Sequence, residues 1–318
     1  MKLDSRSVRC PDFQELSPAN WLNSSPLAMG ELRGRVVLVD FWDYTCINCI
    51  RSLAYIRGWQ ERYAASGLTV IGVHTPEFAF ARDAAAVRRG LDELRVTYPV
   101  VLDNDTRIWK AFANRAWPSR YLVDGSGYLR HRRSGEGGYQ ETERAIRHLL
   151  GQDEDDTPLI AEAAVPSDEA TPELYLGWKR GQPANEGGFA AEQCSRYDLP
   201  DHLTLFDDGV ELGGLWVSRE EYCQVAGSGP DDPSRLRVNY CARGVHLVAA
   251  PADDGLPGRL GITAAPELYG DDVQQGGFID VTRPRLYSLI TCEENHLGMF
   301  ELVSASRGLR LYALSFTP

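Results

Sequence analysis

Hydrophobic and polar positions divide the chain into two halves with different periods. In the first half, short apolar runs alternate with segments whose apolar residues recur every three to four positions. The runs predict strands at residues 36–42, 68–74, 99–102, 119–123 and 128–132, and the segments predict helices at 46–65, 81–94, 106–113 and 140–150. This alternation implies βαβ units, and the turn at 124–127 implies a final antiparallel hairpin. We therefore expect an α/β fold with a mixed sheet flanked by helices.

The second half changes to short strand-like runs separated by turns rich in Gly, Pro and Asp, without long helical patterns. The predicted strands are residues 202–206, 210–217, 235–241, 245–249, 259–263, 285–290, 299–303 and 309–316. About eight short strands in one domain predict a β-sandwich or jelly-roll. An acidic stretch with proline separates the halves, so we predict domains at 1–151 and 172–318 joined by a linker at 152–171.

Charge changes this picture by excluding one class of partner. The 318 residues carry a net charge of −12, with 21 basic and 17 acidic residues in 1–150 but 12 basic and 28 acidic residues in 151–318. An acidic second half argues against binding to nucleic acid, because phosphate contacts need clustered cations. No apolar run reaches the length of a membrane span, and the N-terminus lacks the apolar core of a signal peptide. As written, the chain is expected to be cytoplasmic.

The most informative chemistry is a pair of cysteines, Cys46 and Cys49, placed where the strand 36–42 turns into a helix. A cysteine at a helix N-terminus faces unpaired N–H groups and the positive end of the helix dipole, which favour the thiolate. The second cysteine lies one turn deeper and can close a disulfide. This placement predicts a redox pair in which Cys46 attacks and Cys49 resolves.

The cysteine pair has two other interpretations. A Cys-x-x-Cys can be half of a metal site, but the sequence has no second Cys-x-x-Cys and no His pair at ligand spacing. No metal site is therefore predicted. The cysteines could also be inert core residues. The other five cysteines are scattered and are expected to be free thiols in a reducing compartment, although some could pair in an exported protein: Cys10, Cys194, Cys223, Cys241 and Cys292.

Asp40, Trp117 and Pro118 are predicted to complete this site. Asp40 alternates with apolar residues of its strand, which predicts burial and makes it a candidate proton acceptor for the resolving thiol. The alternative is a solvent-facing carboxylate. Pro118, just before a strand, marks a fixed turn that would leave the preceding backbone free to pair with an extended polypeptide. Trp42 and Thr45 precede the pair in the sequence and, with Trp117 and Pro118, are predicted to contact substrate.

Other candidate residues have simpler explanations beside the functional one. His74 and Glu77 follow a strand at its carboxyl end, the functional edge of parallel sheets, and could contact substrate. The same residues could belong to a loop that starts a helix at Thr75. In the second half, aromatic residues could form a surface for a sugar or a peptide, although such residues more often fill a core: Tyr175, Trp178, Trp216, Tyr240 and Tyr312.

Several motifs together resemble a known family. The stretch from Asp40 through the cysteine pair and the later Trp117-Pro118 resemble the thioredoxin superfamily, in particular its TlpA/redoxin branch. More narrowly, residues 41–51, 72–78, 117–121 and 135–139 are similar to the soluble C-terminal region of DipZ-type cytochrome-biogenesis proteins. Residues 171–177 and 240–248 resemble the β-sandwich that follows in that family.

The resemblance implies a thioredoxin fold with Cys46 and Cys49 as the redox pair, Pro118 as a cis-proline and Asp40 as the buried acid. It implies no cofactor beyond the redox-active disulfide, and a carbohydrate-binding-module-like second domain with a glycan or protein ligand. The family's members carry a membrane electron-transfer region and act outside the cytoplasm, so an extracytoplasmic location is the alternative. The expected partners are disulfide-containing proteins and an unidentified electron donor.

The sequence therefore predicts a thiol-disulfide oxidoreductase that acts through a mixed disulfide at Cys46. A thiol peroxidase is one alternative, but its Pro-x-x-x-Thr-x-x-Cys motif is missing, since Thr45 directly adjoins Cys46. Two further alternatives are a glycan- or protein-binding module with an ancillary redox domain, and a copper-handling protein that uses the two thiolates.

Overall fold

The computed structural model describes residues 8–13, 17–154, 156–162, 170–199, 208–227 and 229–318. Contacts divide the chain into two compact units, Met1–Val165 and Pro166–Pro318. The predicted linker 152–171 stays a prediction, because residues 155 and 163–169 lie outside the described residues. The predicted strand at 202–206 also lies outside them. Within the described part of the chain, no helix has both the length and the apolar character needed to cross a membrane.

The described residues of the first unit form a six-stranded sheet, which is mixed, as predicted. Its strands lie in the order β1-β4-β3-β2-β5-β6, where β2, β3 and β4 are parallel and the remaining neighbours are antiparallel. The bounds are β1 Trp21–Leu22, β2 Val36–Trp42, β3 Leu68–His74, β4 Val100–Leu102, β5 Ser119–Val123 and β6 Leu129–Ser134. The two-residue strand β1 was not predicted, because it is too short to show a period.

Within the described part of the unit, four α-helices accompany this sheet: α1 Ile47–Tyr63, α2 Ala84–Glu93, α3 Arg107–Ala111 and α4 Tyr139–Leu149. Short 3-10 helices lie at Pro18–Asn20 and Ala79–Arg82. The helix predicted at 81–94 is therefore divided in two. The division falls at Asp83, whose carboxylate accepts hydrogen bonds from the backbone N–H groups of Ala85 and Ala86 and so starts a new helix.

The central strand β2 places the site because both of its faces are buried. All seven residues are buried, and alternate residues enter two different apolar clusters. Val36 and Leu38 pack in the cluster that includes Cys49 and other residues of α1, whereas Val37 and Val39 pack in the opposite one. Because side chains alternate along a strand, Asp40 lies on the α1 side.

The second unit is all-β, as predicted, and its sheet closes on itself. Strand β11 pairs with β9 and β15, and β10 also pairs with both β9 and β15, so these four strands form a small barrel. Strands β14, β12 and β13 extend the sheet from β11. The bounds are β7 Leu174–Tyr175, β8 Cys194–Tyr197, β9 Gly209–Ser218, β10 Cys223–Val225, β11 Ser234–Ala250, β12 Gly258–Ile262, β13 Phe278–Val281, β14 Arg285–Ser304 and β15 Arg310–Thr317.

Two pairs of predicted strands are single strands. Residues 235–241 and 245–249 both belong to β11, and residues 285–290 and 299–303 both belong to β14. The two long strands pair with each other, but Ala242 lies opposite His296 while Gly244 lies opposite Thr291. The extra residues of β14 therefore form a bulge rather than a turn. A polar interruption in a sequence cannot distinguish these two outcomes.

Candidate active site

Asp43, which the sequence analysis did not single out, shapes the turn between β2 and α1. One carboxylate oxygen accepts hydrogen bonds from the backbone N–H and the hydroxyl of Thr45, both at 2.7 Å. The other accepts the backbone N–H of Glu77 at 2.9 Å. Asp43 is fully buried. Its side chain thus fixes the turn and joins it to the loop after β3, in the manner of an Asx-turn. An Asp that directly follows a buried strand was the signal that could have revealed it.

The two cysteines differ in accessibility and hydrogen bonding. Cys46 is the N-cap residue of α1, is partly exposed, and its Sγ accepts the backbone N–H of Cys49 at 3.2 Å. Cys49 lies one turn deeper and is 1% exposed. Neither cysteine forms a disulfide. Burial raises the pKa of Cys49 well above its usual value, and its hydrogen bond with Cys46 adds to this. Cys46 is therefore the thiol that solvent can reach, and Cys49 needs a proton acceptor to react.

Asp40 is buried on the cysteine side of β2, which confirms its predicted burial. It is 1% exposed, and its Oδ1 has no hydrogen-bond partner among the described residues. Burial raises the pKa of Asp40 to about 7, although the positive charge of Arg120 lowers it. The charge of Asp40 in turn contributes to the raised pKa of Cys49. A carboxyl that titrates near neutrality suits proton transfer, so its role as proton acceptor stays a prediction with physical support.

The Trp117–Pro118 segment contacts the loop after β3 and the loop before α4. Its peptide bond is cis, as the resemblance implied. The indole N–H of Trp117 donates to the carbonyl of Thr75 at 3.0 Å, and the ring lies 4.3 Å from that of Trp109. The carbonyl of Pro118 accepts the backbone N–H of Gly135 at 2.7 Å. Trp117 is partly exposed, so it stays a predicted substrate contact.

Three residues predicted to contact substrate are buried instead. Trp42 and His74 are fully buried, and Thr45 is 1% exposed. The His74 ring packs edge-on to Trp42 and stacks on Tyr44, and burial lowers its pKa. Thr45 uses its hydroxyl to bind Asp43. These side chains therefore pack in the protein interior next to the turn and do not reach its solvent-facing side. The pattern could not show this, because a sequence does not reveal which side of a loop is covered.

Glu77 is partly exposed beside the turn, and its contact with substrate stays a prediction. The alternative helix start at Thr75 is wrong, since the helical turn begins at Ala79. The Thr75 hydroxyl instead donates to Asp103 at 3.2 Å.

Two further residues contribute to the site, and the sequence analysis did not single out the first of them, Arg120. Arg120 is fully buried on β5, directly opposite Asp40 on β2. Glu136 accepts a hydrogen bond from Nε of Arg51 at 2.7 Å, which ties the loop before α4 to α1. An arginine inside an apolar strand was the available signal for Arg120, because such a residue is rarely buried without a partner.

In the second unit, the predicted aromatic surface does not form as a whole. Trp216, Tyr240 and Tyr312 are at most 2% exposed and lie in the core, as the simpler explanation held. Trp178 is 38% exposed and Tyr175 is partly buried. No cluster of His, Cys, Asp and Glu among the described residues is arranged to hold a metal. A glycan or protein ligand for this unit stays a prediction.

Comparison with known proteins defines the class of protein to which this fold and site belong. Residues 8–132 match the AhpC/TSA family, and residues 171–317 match the family described as thioredoxin like C-terminal domain. The chain therefore has a thioredoxin-like redoxin domain of the AhpC/TSA family, followed by a thioredoxin-like C-terminal domain.

The chain is homologous to Protein DipZ, as the sequence motifs implied. DipZ of Mycobacterium tuberculosis (strain CDC 1551 / Oshkosh) is 36% identical over 276 residues, which are 81% of this chain and 38% of DipZ. The chain thus spans well under half the length of that relative. The thiol-disulfide oxidoreductase YkuV of Bacillus subtilis (strain 168) is 26% identical over 134 residues, covering 42% of this chain and 90% of YkuV. A crystal structure of a thioredoxin-like superfamily protein has a TM-score of 0.42 at 26% identity and covers 45% of this chain and 97% of that one.

Proposed function

We propose that this chain exchanges disulfides with protein substrates through Cys46 and Cys49. The observation that carries the proposal is the arrangement of the two thiols, in which a partly exposed Cys46 at a helix N-terminus accepts the N–H of a buried Cys49. The helix end stabilises a thiolate on Cys46, which is the nucleophile of the exchange. Homologues that cover the first unit are named thiol-disulfide oxidoreductases, which supports the same reaction class.

The reaction proceeds in two displacements. The Cys46 thiolate attacks one sulfur of a substrate disulfide, so that a mixed disulfide forms and the other substrate sulfur leaves as a thiolate. Cys49 then loses its proton to the Asp40 carboxylate and attacks Sγ of Cys46. The mixed disulfide breaks, the second substrate thiolate leaves and takes a proton from solvent, and the Cys46–Cys49 disulfide remains. Two electrons pass from the dithiol to the substrate, and the predicted electron donor must return them.

Trapping the mixed disulfide tests this proposal. A Cys49→Ala variant can form the mixed disulfide but cannot resolve it, so a tagged variant should capture protein partners that a reductant releases. The matched control is the Cys46→Ala/Cys49→Ala double variant, which keeps the fold but lacks the attacking thiol. Equal capture by the two variants would contradict the proposal. Peroxide consumption by the intact chain with a thiol reductant, without protein capture, would favour the peroxidase alternative.

A further inference from the structure

Arg120 is a buried guanidinium that the two-step exchange does not yet use. It lies on β5 in direct register with Asp40 on β2, and both residues are at most 1% exposed. Arg120 shares its face of β5 with Leu122, which belongs to the same cluster as Cys49. Burying a guanidinium is costly unless a negative charge or hydrogen bonds compensate for it. The burial of Arg120 at this position therefore calls for a physical reason.

The groups around Asp40 identify Arg120 as its counter-charge. Among the described residues, the titratable groups that interact electrostatically with Asp40 are Cys49 on α1, Tyr98 just before β4 and Arg120 on β5. Cys49 and Tyr98 can only be neutral or negative, so neither stabilises a carboxylate by its charge. Among the described residues, Arg120 supplies the positive charge that opposes the effect of burial on Asp40.

The other contacts of Arg120 hold the guanidinium in place and link it to the substrate side. Its Nη2 donates to the carbonyl of Gly137 at 2.5 Å and to that of Gly135 at 3.4 Å. Its Cζ lies 4.5 Å from the ring centroid of Tyr139. Gly135 in turn donates to the carbonyl of Pro118. The charges of Glu136 and Arg133 also act on Arg120, with opposite signs. These contacts satisfy Nη2, whereas Nε and Nη1 have no partner within the described part of the chain.

We propose that Arg120 is a positioning residue for the resolving step. Its guanidinium favours the ionised form of Asp40 beside Cys49, so that the carboxylate can accept the Cys49 proton once a mixed disulfide has formed at Cys46. Through Gly135 the same side chain anchors the backbone that holds Pro118. The inference rests on the proposed function, because it assigns a role within the same exchange.

The resolving step can be isolated with a chromogenic disulfide, dithiobis(nitrobenzoate), and the full chain. Cys10, Cys194, Cys241 and Cys292 are replaced by serine in every variant, because these accessible thiols would themselves release nitrothiobenzoate. Attack by Cys46 then releases one nitrothiobenzoate, and attack by Cys49 releases the second, so the second phase reports resolution alone. Its rate is measured against pH for the wild type, Arg120→Met and Arg120→Lys. The matched control is Arg132→Met, which removes an exposed arginine from the neighbouring strand β6.

We expect Arg120→Met to move the midpoint of the second phase upward by about one pH unit, since an opposite charge nearby lowers a carboxyl pKa by about that much or more. Below both midpoints, this shift corresponds to a resolving rate about tenfold lower. Arg120→Lys keeps the charge and should stay near the wild-type midpoint, and Arg132→Met should match the wild type. In an Asp40→Asn background, the Arg120→Met change should have no further effect on the profile. A wild-type midpoint in Arg120→Met, or an equal shift in the Asp40→Asn background, would overturn the inference.

A measurement on the wild type covers the case in which Arg120→Met does not fold. The chemical shift of the Arg120 side-chain N–H should change with pH at the same midpoint as that of the Asp40 carboxyl carbon. An Arg120 chemical shift that does not change at this midpoint would refute the pairing. The chromogenic assay also separates this inference from the proposed function. A trap without captured proteins, combined with a shifted second phase, would contradict protein exchange while supporting Arg120. Capture of proteins combined with an unshifted second phase in Arg120→Met would support protein exchange and contradict the role of Arg120.

Discussion

The two units of the chain differ in how many charged side chains they bury. Among the described residues of the second unit, the one buried carboxylate is that of Glu211, and no guanidinium or imidazole is buried. Oε2 of Glu211 lies 3.4 Å from Nη1 of Arg237. The described residues of the first unit include a larger set of buried carboxylates, guanidiniums and imidazoles: Asp40, Asp43, His74, Asp103, Arg120, Glu143 and Arg147. Strand pairing and an apolar core thus account for the second unit, whereas the first retains groups whose burial is costly.

Hydrogen bonding distinguishes the buried charges of the first unit that stabilise the fold from those that serve chemistry. Glu143 accepts hydrogen bonds from Tyr63, Arg62 and the backbone of Ile160, so both of its oxygens have partners. Asp40, in contrast, has an oxygen without a partner and a pKa raised to about 7. A satisfied buried carboxylate stabilises the fold, while an unsatisfied one beside a reactive thiol indicates chemistry.

The largest expected effect separates the cysteines of the two units. Cys46→Ala should lower the rate of disulfide exchange by about a thousandfold or more, because loss of a nucleophile removes the reaction path. Cys223→Ala should leave the rate unchanged, because burial raises the pKa of Cys223 to about 12 and keeps it an unreactive thiol. Reduction of a protein disulfide by equal amounts of folded protein measures both. A similar loss in both variants would break the comparison.

The next effect is a pH dependence of stability that comes from Asp40. The pKa of Asp40 is about 7 in the folded chain, compared with the ordinary value of 3.8 that applies to the unfolded chain. The folded state therefore binds the proton more tightly than the unfolded state does. The contribution of Asp40 is fully present below about 3.8 and is lost as pH rises toward and through about 7. The loss corresponds to about 4 kcal/mol. Asp40→Asn should remove this dependence, as urea unfolding across that pH range would show. An unchanged dependence in the variant would place its origin elsewhere.

A third prediction tests the apolar core of the second unit. Leu247 on β11 is fully buried, and Leu247→Ala should lower the free energy of unfolding by about 3 kcal/mol through lost burial and a cavity. Leu256 is 65% exposed, and Leu256→Ala should change it by less than about 0.5 kcal/mol. Urea unfolding of the intact chain measures both. Equal effects would mean that burial does not govern the stability of this unit.

The smallest effect concerns a buried carboxylate of the first unit that we assign to structure. Asp103 accepts the backbone N–H groups of Ile108 and Trp109, each at 2.9 Å, at the start of α3. Asp103→Ala should lower the free energy of unfolding by about 1 to 2 kcal/mol, with a smaller effect for Asp103→Asn, which retains an acceptor. Neither should shift the pH profile of the resolving step. A shifted profile would show that Asp103 takes part in the chemistry.

Much of the first unit could be predicted because its elements carry local signals. Strands β2, β3 and β5 have the predicted bounds, since continuous apolar runs bounded by turns are read directly from a sequence. The long strands β11 and β14 were each divided in two, because a bulge and a turn look alike in a pattern. Strands as short as β1 show no period at all.

The site was predicted less completely than the fold. Cys46, Cys49 and Asp40 were found because their residue types are unusual where they stand. Trp42 and His74 were placed on the substrate side, although both are buried. Their exposure depends on which loops pack above them, and that is a matter of contacts between segments far apart in the sequence.

By itself, the sequence determined the strand-turn-helix placement of the cysteine pair, the burial of Asp40 and the change from mixed α/β to all-β, because each depends on neighbours within a few residues. Only the tertiary structure decided that Arg120 lies opposite Asp40, that Asp43 ties the cysteine turn to the loop after β3, and that four strands of the second unit close into a barrel. These features depend on strand register and loop packing, which join residues that are many positions apart. The charge that we propose governs the resolving step is therefore visible only in the folded chain.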